Sequence, residues 1–139
     1  TEWRNDDDRS VISGRHDGYR RLTADLTHER RIELSKVLNI VSISDSFEAI
    51  GHYTAVAYFH CAPECNVTLD SQGVTISSDS HSARLTTDSQ RVSIRRAGDQ
   101  GHLGWCSDSY HSRFESSCIV LESELDGDSK ITTQVSVRS

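Results

Sequence analysis

At 139 residues the chain has the size of one ordinary domain, long enough to bury roughly two thirds of its unfolded surface around a single core. Its net charge of −6 is uneven: residues 1–36 hold eight Lys/Arg and eight Asp/Glu, against seven and thirteen in the remainder. An acidic body argues against nucleic acid as a partner, because phosphate binding rests on clustered cations and counterion release, and no apolar run approaches the ~20 residues that cross a bilayer.

Thr1-Glu2-Trp3-Arg4 has neither an initiator Met nor an apolar signal segment, so the chain reads as a piece of something longer. The acidic run Asn5-Asp6-Asp7-Asp8 suggests a flexible lead-in over 1–9 to one domain spanning 1–139. From there the dominant pattern is short β-branched runs of period two, broken by Gly, Ser and Asp clusters every eight to twelve residues. This spacing predicts an all-β fold, an antiparallel β-sandwich of about ten strands.

Arg20 to Ser35 admits a helix through Leu22, Leu26 and Leu34, but Thr27 to Leu34 also alternates and is read as strand. Val37 to Ile43 is the most apolar run and is expected to form a central strand buried on both faces. Tyr53 to His60 alternates cleanly, with Tyr53, Ala55, Ala57 and Phe59 on one side. Inward pairs follow at Val67 and Leu69, Val74 and Ile76, Ala83 and Leu85, and Val92 and Ile94. Ser71-Gln72-Gly73, Asp79-Ser80-His81, Asp88-Ser89-Gln90 and Asp126-Gly127-Asp128 supply turns. The closing strands are Ser117 to Leu125 and Lys130 to Val137, which leaves 96–116 as the longest loop.

Several side chains carry chemistry. His16 and Tyr19 supply an imidazole and a phenol, the base and acid needed to remove a proton alpha to a carboxylate. On a regular strand they face opposite ways, so a shared site requires a turn at Gly18. Arg20, Arg21, Arg30 and Arg31, and separately Arg91, Arg95 and Arg96, are candidates to hold carboxylates or sulfates; the alternative is solvated arginines balancing nearby acids. His60, Cys61 and Cys65 around the sole proline, Pro63, make a weak zinc candidate, with His102 and Cys106 able to complete four ligands. Cys61, Cys65, Cys106 and Cys118 are equally candidates for two disulfides in a periplasmic or extracellular protein, or for buried free thiols in a reducing cytoplasm. Trp105, Tyr110 and His111 offer an exposed platform, and Asn66-Val67-Thr68 is a formal glycosylation sequon.

Taken in order, Gly14-Arg15-His16-Asp17-Gly18-Tyr19, Thr27-His28-Glu29-Arg30, Leu38 to Asp45, Gly51-His52, Phe59-His60-Cys61-Ala62-Pro63 and Gly104-Trp105-Cys106-Ser107 with Tyr110 form a series, closed by Ile131-Thr132-Thr133. This succession resembles the C-terminal β-sandwich of the heparinase II/III-like polysaccharide lyases across most of residues 10–137. The resemblance implies a large parent with an N-terminal α/α toroid, binding an anionic uronic-acid polymer between toroid and sheets. Such enzymes are carbon–oxygen lyases that abstract the C5 proton and eliminate the 4-linked sugar without water. Most of their acting groups lie on the toroid, so this chain alone is expected to be inactive. His16 and Tyr19 are then the catalytic candidates within it, and Arg20, Arg30, Trp105 and Tyr110 the substrate-binding ones. No cofactor is implied beyond a structural zinc found in some relatives. A non-catalytic carbohydrate- or protein-binding module is the alternative reading.

Overall fold

The computed structural model of the chain describes residues 1–99 and 101–138, and every regular element among them is a strand. These are β1 (Glu2–Asn5), β2 (Arg9–Tyr19), β3 (Leu26–Ser35), β4 (Ile40–Glu48), β5 (His52–His60), β6 (Asn66–Asp70), β7 (Gly73–Ser77), β8 (Ser82–Thr87), β9 (Arg91–Arg96), β10 (Trp105–Cys106), β11 (Phe114–Glu115), β12 (Ser117–Asp126) and β13 (Ser129–Arg138). One antiparallel sheet has eight strands in the order β1-β2-β3-β4-β13-β8-β7-β6; a second has three, β5-β12-β9; and β10-β11 is a two-residue ladder within the long loop. The all-β antiparallel expectation is met, with thirteen strands in place of about ten.

Two-residue alternation builds the sandwich. On β5 the side chains of Tyr53, Ala55, Ala57 and Phe59 are half-buried while Thr54, Val56, Tyr58 and His60 are exposed. Val67, Val74 and Leu85 of the large sheet close on Ile119 and Leu121 of the small one, sealed by Ala57, Phe59, Val92 and Ile94. Each such side chain stabilises the fold by about 1.5–3 kcal/mol relative to exposure. The small sheet covers the β13-β8-β7-β6 half. On the other flank, Trp3, Ile12 and Leu34 lie on the same inner face and are 66%, 42% and 37% exposed.

Three links change sheets at one end of the sandwich: residues 49–51, 88–90 and 127–128. They are tied to one another and to the strands by Ala49 N–H to Asp128 Oδ1 at 3.0 Å, Gly127 N–H to Gly51 O at 3.0 Å and Thr132 N–H to Asp88 Oδ1 at 2.8 Å. That end frames the site described below.

Three expectations need correction, and the preference for strand over helix after Arg20 is borne out. The 1–9 segment is no loose lead-in: Glu2–Asn5 pairs with β2, and Asp6 Oδ1 accepts from Asp8 N and Arg9 N to make the turn. Val37 and Leu38 are exposed, because the β3–β4 hairpin turns there with Asn39 at φ +54°; only the second half of the apolar run joins β4. Leu69 is half-exposed and so does not match Val67 as an inward pair. Finally, 20–25 holds no helix, and the strand favoured for Thr27 to Leu34 is β3.

Candidate functional site

Between the sheets, at the end where the links cross, lies a cleft of about 520 Å³. Its floor is a set of directly opposed cross-strand pairs. Arg30 of β3 faces Asp45 of β4, and His28 faces Phe47. Asp45 is only 6% exposed and accepts from three donors: His28 Nε2 at 2.7 Å, Arg30 Nε at 2.7 Å and Arg30 Nη2 at 2.9 Å. Burial works against its charged form, yet the bonds from His28 and Arg30 outweigh it and hold the carboxyl below its ordinary value. The bond to Asp45 in turn raises the Arg30 guanidinium.

Aromatic rings form the wall. His28 stacks on Phe47 with centroids 4.9 Å apart, and Phe47 lies 5.7 Å from Tyr53, whose hydroxyl donates to Gly127 O. Tyr19, at the end of β2, closes one side, and Ala55 and Ala57 of β5 keep the other side open by their size. The site is thus a largely apolar slot with one rigid guanidinium–carboxylate pair and an imidazole at its base.

His16 and Tyr19 are brought together: an irregularity in the β2–β3 register falls between them, and their ring centroids are 4.9 Å apart. The turn at Gly18 that their pairing requires is therefore present, with Gly18 N–H donating to His16 Nδ1 at 3.3 Å. Tyr19 borders the main cleft, whereas His16 lines a neighbouring groove with Arg15, Asp17, Arg20 and Thr27. Arg20 pairs with Asp25, and only Arg30 of the arginine set enters the cleft; Arg31 lies on the opposite face with Glu2 and Glu33. Arg91 bridges Glu122 and Glu124, and Arg96 donates to Val67 O, so these two members of the second set are engaged within the domain.

Trp105 and Tyr110 sit elsewhere. Their loop attaches where β12 begins, through Ser116 N–H to Gly104 O, at the opposite end of the small sheet from the cleft. Arg113 lies 3.9 Å over the Trp105 ring, and Tyr110 is 91% exposed against His111. All four cysteines are free; burial raises the Cys61 and Cys118 thiols, which keeps them uncharged at neutral pH. The zinc set of His60, Cys61 and Cys65 does not assemble: among the described residues no three His, Cys, Asp or Glu side chains are arranged to hold a metal ion.

Asp45, Phe47 and Tyr53 were not singled out by sequence reasoning. The available signal was a carboxylate at an inward position of a two-periodic strand, following the His28-x-Arg30 alternation.

The family described as Heparinase II/III-like, C-terminal, matches residues 1–135. No curated protein matches the chain. Among solved structures, the heparan sulfate lyase HepC from Pedobacter heparinus superposes with a TM-score of 0.79 at 13% identity, over 99% of this chain and 21% of that one. A heparinase III gene product superposes with a TM-score of 0.75 at 12% identity, again over 99% of this chain and 21% of its own. The chain thus spans about a fifth of the length of these lyases. A match of this extent, on a sandwich of the same architecture, places the chain in the heparinase II/III-like family as its C-terminal β domain.

Proposed function

We propose that this domain serves a parent polysaccharide lyase, packing beside an N-terminal α/α toroid and helping to shape the groove for an anionic, uronic-acid-containing polymer. In the parent reaction a base takes the C5 proton, the C4–O bond breaks, a C4–C5 double bond forms, and the leaving sugar oxygen is protonated. A polymeric substrate suits a periplasmic or extracellular enzyme.

The observation that carries this reading is the uncovered inner flank of the large sheet. Trp3, Ile12 and Leu34 form an apolar strip that a free-standing sandwich would bury, and the chain is one fifth of the lyases it resembles. Expression of this chain alone, and of the same chain with its upstream coding sequence, tests it. On heparan sulfate, chondroitin sulfate and alginate, the unsaturated-uronate absorbance should rise only with the longer protein. Turnover by the 139-residue chain alone, or an upstream sequence with no helical repeats, overturns it. The binding-module reading draws on the exposed Tyr110 and predicts polysaccharide retention that Tyr110→Ala abolishes, without elimination.

A further inference from the structure

The cleft has features that packing against a toroid does not require. Its volume of about 520 Å³ falls within the ~300–1,000 Å³ of small-ligand pockets. The chain as a whole is acidic, yet the ionisable side chains lining this cleft are Arg30, His28 and His52 against the single carboxylate of Asp45, besides the phenols of Tyr19 and Tyr53. Both Asp45 oxygens are taken by protein donors. Arg30 uses Nε and Nη2 on Asp45, and among the described residues Nη1 makes no hydrogen bond to protein. Across the β2–β3 pair, Arg30 faces Gly14, where a Cβ would meet nothing within 4 Å, so the residue directly opposite places no side chain over the guanidinium. The fork is held rigid from behind and free in front, an arrangement suited to a carboxylate.

We propose that this inter-sheet cleft is a subsite for one hexuronate unit, its carboxylate on the free edge of Arg30 and its ring against the wall of Tyr19, Phe47 and Tyr53. The proposal rests on the reading that the parent acts on uronic-acid polymers, and it names a place on this domain where such a unit is held. Tyr19 lines the same cleft as Arg30, which brings a phenol to the wall of the space where the carboxylate would sit. The C–H faces of a pyranose supply the apolar contact that the aromatic wall lacks a partner for.

Amide and Arg Nε–H resonances of the 139-residue chain, followed by two-dimensional NMR, test this with sodium glucuronate, glucose and acetate as separate arms. Glucuronate should give saturable shifts at Tyr19, Arg30, Phe47 and Tyr53, and bind at least about tenfold more tightly than either glucose or acetate. Arg30→Ala leaves Asp45 short of a partner and endangers the fold, so two variants spare the ion pair. Ala55→Leu narrows the cleft and should weaken glucuronate by about tenfold or more, and Tyr19→Phe should weaken it by less. No binding, equal affinity for glucose, shifts centred on Tyr110, or unaltered affinity in Ala55→Leu overturns the subsite. Glucuronate bound in the cleft of a protein whose parent eliminates nothing would overturn the lyase reading and leave the subsite standing.

Discussion

At the scale of single residues, Asp45 is the group whose loss should be felt most. Its carboxylate is buried and neutralises Arg30 while receiving His28, so truncation leaves three donor groups on two side chains without their acceptor. Arg30 is 40% exposed, which screens part of the effect, and Asp45→Ala should cost about 2–3 kcal/mol in urea unfolding. The same group sets a pH dependence. A carboxyl whose folded value lies below its unfolded value near 3.8 stabilises above that value, and the stabilisation fades as pH falls through the folded value. The stability gap between the native chain and Asp45→Asn should therefore be full at neutral pH and close below about pH 4. A gap that persists undiminished at about pH 2.5 would show that charge is not what Asp45 contributes.

Among the elements, burial alternates so sharply that neighbouring strands predict opposite outcomes. Ile119 on β12 is fully buried, so Ile119→Ala should cost about 2–5 kcal/mol. Val56→Thr on the outward face of β5 should stay within about 0.5 kcal/mol. The β6–β7 turn gives a third test. Gly73 sits at φ +131°, and a Cβ there would lie 2.3 Å from Leu85 O, a backbone atom with little room to yield. Gly73→Ala should cost about 2 kcal/mol or more, measured against Gly98→Ala, where φ is also positive but the space is open. Alternation made most of these strands legible in the sequence, β5, β12 and β13 nearly to the residue. Which sheet each strand joins was not legible. The links at 49–51, 88–90 and 127–128 have the composition of hairpin turns, yet each carries the chain from one layer to the other. The site was hidden for a related reason. His28 and Arg30 read correctly as one face, but their meeting with Asp45 and Phe47 depends on the β3–β4 register, and the left-handed Asn39 in the turn helps to set it. With the apolar run taken as strand from Val37 onward, that turn was invisible.

For the whole molecule, the mismatch between an eight-stranded and a three-stranded sheet dominates. The small sheet buries the β6–β8 side, while β1 to β3 keep Trp3, Ile12 and Leu34 open to solvent. A strip like this promotes association of the isolated chain, tempered by the charged Glu2 and Arg4 that alternate with Trp3 on the edge strand. Replacing all three, as Trp3→Ser, Ile12→Thr and Leu34→Thr, removes the apolar strip without touching the core between the sheets. In the isolated chain the variant should sediment as monomer at concentrations where the native chain self-associates, with its unfolding free energy changed by no more than about 1 kcal/mol. The proposed docking of this strip on a partner domain predicts that in the parent protein the same three substitutions lower stability well beyond that, since apolar contacts and not only solvent exposure are then lost. Equal effects in both contexts would mean that the flank is solvent-facing in the parent as well, and the partner domain would then have to dock elsewhere on the sandwich.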